Sequence, residues 1–238
     1  MRVFIEPDQD ALARRAAGCV ADVLLAAPGA VLALPTGRTP LGLYRELVRM
    51  HHETLLDFSA TRVFSLDEYI GVPPTDVRSF HSYLREQFLS RVNVVPDNVY
   101  LLPSSADDND CQDYETAIRD AGGIDLLIAG VGTNGHIAFN EPGAALDSRT
   151  RIVKLAQSTL AGMQAVFAAD QMPTNAVTMG LATILEARRI LVLASGQMKR
   201  NALAGLVRGS VTAENPVSAV RLHADVTVVA DRDASLSG

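Results

Sequence analysis

Tryptophan is absent from the chain, aromatic residues make up only 5%, and cysteine occurs twice. The shortage of flat rings argues against a surface for stacking bases or pyranose rings. Cys19 and Cys111 stand far apart, without the CxxC spacing of a metal or redox site, and read as reduced intracellular thiols. There is no lysine and arginine run, and the formal net charge is -6, which argues against a nucleic-acid surface. No apolar stretch approaches the ~20 residues that span a bilayer. Charges at Arg2 and Glu6 leave no apolar core for a secretory signal. The expectation is a soluble, cytoplasmic protein that engages neither nucleic acid nor membrane.

What the chain has is core. Hydrophobic residues make up 48% of 238, enough for one α/β domain spanning 1–238. Short apolar runs at 3–5, 31–34, 61–66, 126–128, 151–155, 176–179, 190–193 and 225–230 read as strands. Stretches with helical spacing fall between them, at 12–24, 41–48, 80–89, 110–121 and 199–207. The alternation predicts a doubly wound, mostly parallel sheet with helices on both faces, of Rossmann-like type. The segment 159–172 is Ala-rich and poor in strong anchors, and it predicts a small mobile lid over about 157–174.

Chemistry-bearing residues cluster just after strands, where open α/β sheets bind ligands. After the run Leu126-Leu-Ile128 come Gly130 and Gly132, then Thr133, Asn134, His136, Asn140 and Glu141. A His and a Glu five residues apart, with Gly135 permitting close backbone approach, suit acid–base work, although a capped polar turn would explain the same residues. After Leu34 comes Pro35-Thr-Gly-Arg-Thr-Pro40, in which Thr39 is placed as N-cap and Pro40 as first helical residue. Free N–H groups, the helix dipole, Gly37 and two threonine hydroxyls suit a phosphate there, although the turn is neither a Walker loop nor GxGxxG. Asp67-Glu68-Tyr69 follows the run ending at Leu66, and two adjacent acids there are either functional or part of a solvated turn. His81 reads as structural, and His51 and His52 as solvent-exposed.

These motifs resemble the glucosamine-6-phosphate deaminases. The resemblance rests on Thr36-Gly37-x-Thr39-Pro40, Leu66-Asp67-Glu68-Tyr69 and Gly132-x-Asn134-Gly135-His136-Ile137-x-Phe139-Asn140-Glu141-Pro142-Gly143, in that order. Ser148-Arg149-Thr150, Thr178-Met179-Gly180 and Ser195-Gly196-x-x-Lys199 extend it over nearly the whole chain. It is nearest to the short bacterial branch, which shares Asn134 where longer hexameric members carry Asp and lacks their extension beyond Asp231. The resemblance implies conversion of glucosamine 6-phosphate and water to fructose 6-phosphate and ammonia, with no metal or redox cofactor. It assigns Asp67 as proton-shuttling base and His136 as promoter of ring opening, with Glu141 and Asn134 orienting His136. Thr36, Gly37, Thr39 and Lys199 are assigned to the phosphate.

One departure concerns the phosphate. The family's lid carries Arg in an Asn-x-Arg-[Phe/Tyr]-Phe string; here the segment reads Gly162-Met-Gln-Ala-Val-Phe167, with Ala165 at that place. Conversely, Arg38 occupies the middle of the turn, where the family usually has Gly or Ser, and is expected to bind the substrate. The implied partner is a small amino sugar phosphate, and the implied assembly a monomer or small homo-oligomer. Alternatives are a deaminase or isomerase of a modified amino sugar, a 6-phosphogluconolactonase, or a non-catalytic sugar-phosphate sensor.

Overall fold

In the computed structural model, which describes residues 1–235, the first half runs β1 (Arg2–Glu6), α1 (Gln9–Ala26), β2 (Val31–Leu34), α2 (Pro40–His52), β3 (Arg62–Ser65), β4 (Asp67–Tyr69) and α3 (Phe80–Gln87). The chain continues through β5 (Val99–Tyr100), α4 (Asp108–Asp120), β6 (Leu126–Gly130), β7 (Arg151–Lys154) and α5 (Gln157–Met163). It closes with β8 (Asn175–Thr178), α6 (Leu181–Leu185), β9 (Ile190–Ala194), α7 (Arg200–Arg208) and β10 (Val226–Asp231).

Seven strands form one sheet in the order β1-β10-β9-β6-β2-β3-β5, and every pairing in it is parallel. Strand alternation divides its side chains between two cores. Leu32, Leu34, Ile128 and Leu193 pack against Leu12, Leu43 and Leu84 of α1, α2 and α3. Val31, Ala33, Ala129 and Val192 face the opposite way, against Ile118, Ile184 and Leu203 of α4, α6 and α7. The doubly wound arrangement therefore holds, with both faces covered.

The second half of the architecture differs from the single expected sheet. β4, β8 and β7 leave the parallel sheet and pair antiparallel as a separate three-stranded sheet. This small sheet carries a third core of Tyr69, Phe139, Met163 and Phe167. The segment 157–174, expected as a lid, packs on that core through Met163 and Phe167. It consists of α5, a turn and a 3-10 turn at Ala169–Gln171 rather than one helix. Met163 and Phe167 are buried, so the segment has apolar anchors that its Ala-rich composition conceals.

Smaller differences are local. His51 is half-buried, with its Nδ1 2.9 Å from the Leu56 carbonyl. His81 does serve structure, its Nε2 lying 2.9 Å from the carbonyl of Leu102. No helix among the described residues is long and apolar enough to cross a membrane.

Candidate active site

The order of the large sheet reverses at its middle. β2, β3 and β5 run outward on one side, and β6, β9 and β10 on the other, so a crevice opens at the carboxyl ends of β2 and β6. A cavity of about 270 Å³ fills it, lined by Thr36, Gly37, Arg38, Thr39, Asp67, His136, Thr159 and Lys199 among others. The three clusters expected from the sequence thus share one space.

The turn after β2 is tied down from behind. The Tyr44 hydroxyl donates to the carbonyl of Pro35 at 2.5 Å, and the Tyr83 hydroxyl donates to that of Gly37 at 2.5 Å. Gly37 has φ +101, a conformation costly for any residue with a Cβ. Among the described residues, the N–H groups of residues 36–39 have no acceptor and stay available. Thr39 directly precedes Pro40 as expected, but its backbone is already helical (φ -62, ψ -43) and its side chain caps nothing. A capping side chain reaches the second or third helical N–H from an extended backbone, which Thr39 lacks, and its hydroxyl is left to the cavity.

Lys199 enters from the turn after β9. Asp231, at the end of β10, holds that turn by accepting from Ser195 Oγ at 2.5 Å and Gly196 N at 3.0 Å. Lys199 is half-buried, and its pKa is lowered first by burial and then by the Arg38 guanidinium nearby. Arg38 itself is largely exposed, yet it lines the same cavity. Two cations therefore face one space, an arrangement that favours a multiply charged anion. Ala165 is exposed and does not reach the cavity lining.

Asp67 and Glu68 are both buried, so neither sits in a solvated turn. Glu68 accepts from the N–H groups of Tyr69 at 2.7 Å, Phe80 at 3.1 Å and His81 at 2.8 Å, and so anchors the start of α3. Asp67 points to the cavity instead. Burial, and then the neighbouring Glu68, push its pKa up to about 8. A carboxyl group held that high accepts and returns protons near neutral pH.

His136 stands above Gly132, where any Cβ would collide with the imidazole ring. Asn134 Oδ1 accepts from the His136 backbone N–H at 3.1 Å, while Asn134 Nδ2 donates to Glu141 Oε2 at 2.7 Å. His136 Nδ1 lies 3.3 Å from that same Oε2, within ion-pair range but not aligned as a hydrogen bond. Burial raises the Glu141 pKa, but His136, Thr159 and Asn134 outweigh it and hold the carboxyl at about 2. Asn140, expected among the polar cluster, lies below the cavity. Its Nδ2 donates to the carbonyls of Ile137 at 3.0 Å and Met179 at 2.8 Å, and its Oδ1 accepts from Arg151 at 3.0 Å.

Several contributors escape motif reading. Tyr69, Phe80 and Phe139 pack on one another and form one wall of the cavity. Ser158 and Thr159 reach Asn134 and Glu141 from the start of α5. A second cavity of about 370 Å³, lined by Arg2, Arg15, Cys19 and Arg189, opens at the amino ends of the strands. Its arginines are engaged in ion pairs, Arg2 with Asp225 at 2.8 Å, Arg189 with Asp225 at 3.7 Å and Arg15 with Glu6, and its lining contains no histidine.

A family model described as glucosamine-6-phosphate isomerases/6-phosphogluconolactonase matches residues 7–229. The glucosamine-6-phosphate deaminase of Halothermothrix orenii is 42% identical, with 99% of each chain covered. That of Clostridioides difficile is 38% identical over 99% of this chain and 96% of its own. Among solved structures, a monomeric glucosamine-6-phosphate deaminase superposes with a TM-score of 0.95 at 39% identity, covering 98% of both chains. A 6-phosphogluconolactonase from Thermotoga maritima reaches a TM-score of 0.77 at 22% identity, covering 97% of this chain and 98% of that one. At that distance it shows a shared fold alone.

Proposed function

The chain belongs to the family of glucosamine-6-phosphate isomerases and 6-phosphogluconolactonases, and within it we propose that this protein deaminates glucosamine 6-phosphate, with water, to fructose 6-phosphate and ammonia. The observation that carries the reading is one cavity with a carboxyl group of raised pKa, a carboxylate-supported histidine and a cationic end. Each has a use in this chemistry, and hydrolysis of a lactone needs only a base for one water.

The steps follow from the groups. Opening of the sugar ring moves a proton from the hydroxyl on C1 to the ring oxygen, a transfer suited to His136. Asp67, ionised, takes the proton from C2 and delivers it to C1 through an enolamine. The imine left at C2 then adds water and releases ammonia. Glu141 and Asn134 keep His136 in place. The N–H groups and hydroxyls of Thr36, Gly37 and Thr39, with Lys199, hold the phosphate.

Arg38 belongs to the same phosphate site in this reading. A phosphate dianion leaving water needs charge-assisted donors. With Ala165 where the relatives of the resemblance carry Arg, the turn supplies the missing cation from its own middle. The enzyme acts on a small molecule in the cytoplasm, as a monomer or small homo-oligomer. The test is ammonia release over a panel of glucosamine 6-phosphate, glucosamine, N-acetylglucosamine 6-phosphate and 6-phosphogluconolactone. Ammonia is expected from the first alone. Lactone hydrolysis without ammonia release overturns the reading.

A further inference from the structure

Glu141 is held from the lid as well as from its own loop. Its Oε2 faces His136 and Asn134, and its Oε1 accepts from the Thr159 hydroxyl. Beside it, Ser158 Oγ accepts from Asn134 Nδ2 at 3.0 Å. Both hydroxyls sit in the first turn of α5, whose own place is set by apolar anchoring. Phe167 packs edge-on to Tyr69 at 5.5 Å, and the Arg78 guanidinium covers its ring at 4.7 Å. Arg78 also donates to Gln171 at 2.8 Å.

This arrangement has a consequence for His136. Its Nδ1 approaches Glu141 without good alignment, so the rotation of the carboxylate decides how the ring is supported. One oxygen is shared between Asn134 and His136, and among the described residues only Thr159 bonds the other. We propose that Thr159 is a positioning residue for the deamination: its hydroxyl fixes the Glu141 carboxylate, and through it the His136 ring, only while the lid is seated. The proposal rests on the deaminase reading and adds to it a link between lid position and the chemical step. Binding that seats the lid over the sugar completes the His136 support at the same moment.

Two substitutions separate this role from packing. Thr159→Val keeps the shape and removes the hydroxyl; Thr159→Ser keeps the hydroxyl and removes the methyl group. Loss of a hydrogen bond to a charged group predicts that Thr159→Val lowers kcat roughly 10-fold or more. KM for glucosamine 6-phosphate should change less than about threefold, as expected when ground-state binding is preserved. Thr159→Ser should rescue kcat. In a Glu141→Gln background the effect of Thr159→Val should shrink to about twofold or less, because the two residues act as one unit. Unchanged kcat in Thr159→Val, or the same loss in both backgrounds, overturns the inference while the deaminase reading stands. A wild type that releases no ammonia overturns the reading and the inference together.

Discussion

Asp67 and Glu68 are adjacent and both buried, but β4 turns them to opposite sides, as any strand does with consecutive residues. Glu68 is consumed by three backbone N–H groups, and Asp67 is left to the cavity. Asp67→Asn should therefore lower kcat by roughly 10²–10⁴-fold, the usual cost of losing a general base, with the circular dichroism spectrum unchanged. Since Asp67 is pushed up to about 8, most of the free enzyme holds it protonated at pH 6. The profile of kcat/KM should climb from pH 6 toward pH 8; a flat profile across that range contradicts the assignment. Arg38→Gly should raise KM for the phosphorylated sugar roughly 10–150-fold, the equivalent of one charge-assisted hydrogen bond. Introducing Ala165→Arg in that background should recover part of the loss, measured by the same initial-rate assay. The pair of acids was legible in the residue pattern, but only the resemblance, and no local pattern, singled out Asp67 over Glu68. Which acid is free depends on where α3 begins in space, 12 residues further along.

At the level of elements, the strand–turn–helix junction after β2 was readable because glycine, threonine and proline each restrict the backbone locally. Its rear supports were not, since Tyr44 and Tyr83 arrive from helices and show no pattern at the turn. Tyr83→Phe leaves the Gly37 carbonyl without its donor and loosens the turn. KM should rise by about 2- to 12-fold, the range of one neutral hydrogen bond, while kcat stays within about twofold. Steady-state kinetics check both values. The small antiparallel sheet was hidden for a related reason. β4 has three residues, and it pairs with β8 more than a hundred positions away, so no local period announces it. The hold of α5 on the site was not legible either. Ser158 and Thr159 look like ordinary helix-start residues until Asn134 and Glu141 are placed opposite them.

For the whole molecule, the reversal of strand order gathers turns from β2, β6 and β9 and the start of β4 at one end of the sheet, and the fold carries a cost for what it gathers there. A carboxyl group with a folded pKa near 8 and an unfolded value near 3.9 keeps its proton in the native state while the unfolded chain gives its own up. Stability is therefore lost as pH rises from about 4 to about 8, and the loss is removed by Asp67→Asn. That variant should melt several degrees higher than wild type at pH 8 and nearly level with it at pH 4, where both states are protonated; calorimetry at the two pH values checks this. The wild-type reaction in D₂O, followed by NMR and an ammonia assay, bears most directly on the central claim. Glucosamine 6-phosphate should give fructose 6-phosphate and ammonia in equal amounts, with deuterium entering at C1 of the product in those turnovers in which the proton on Asp67 exchanges with solvent before it is delivered. Glucosamine 6-phosphate that persists unchanged, with no ammonia formed, contradicts the account.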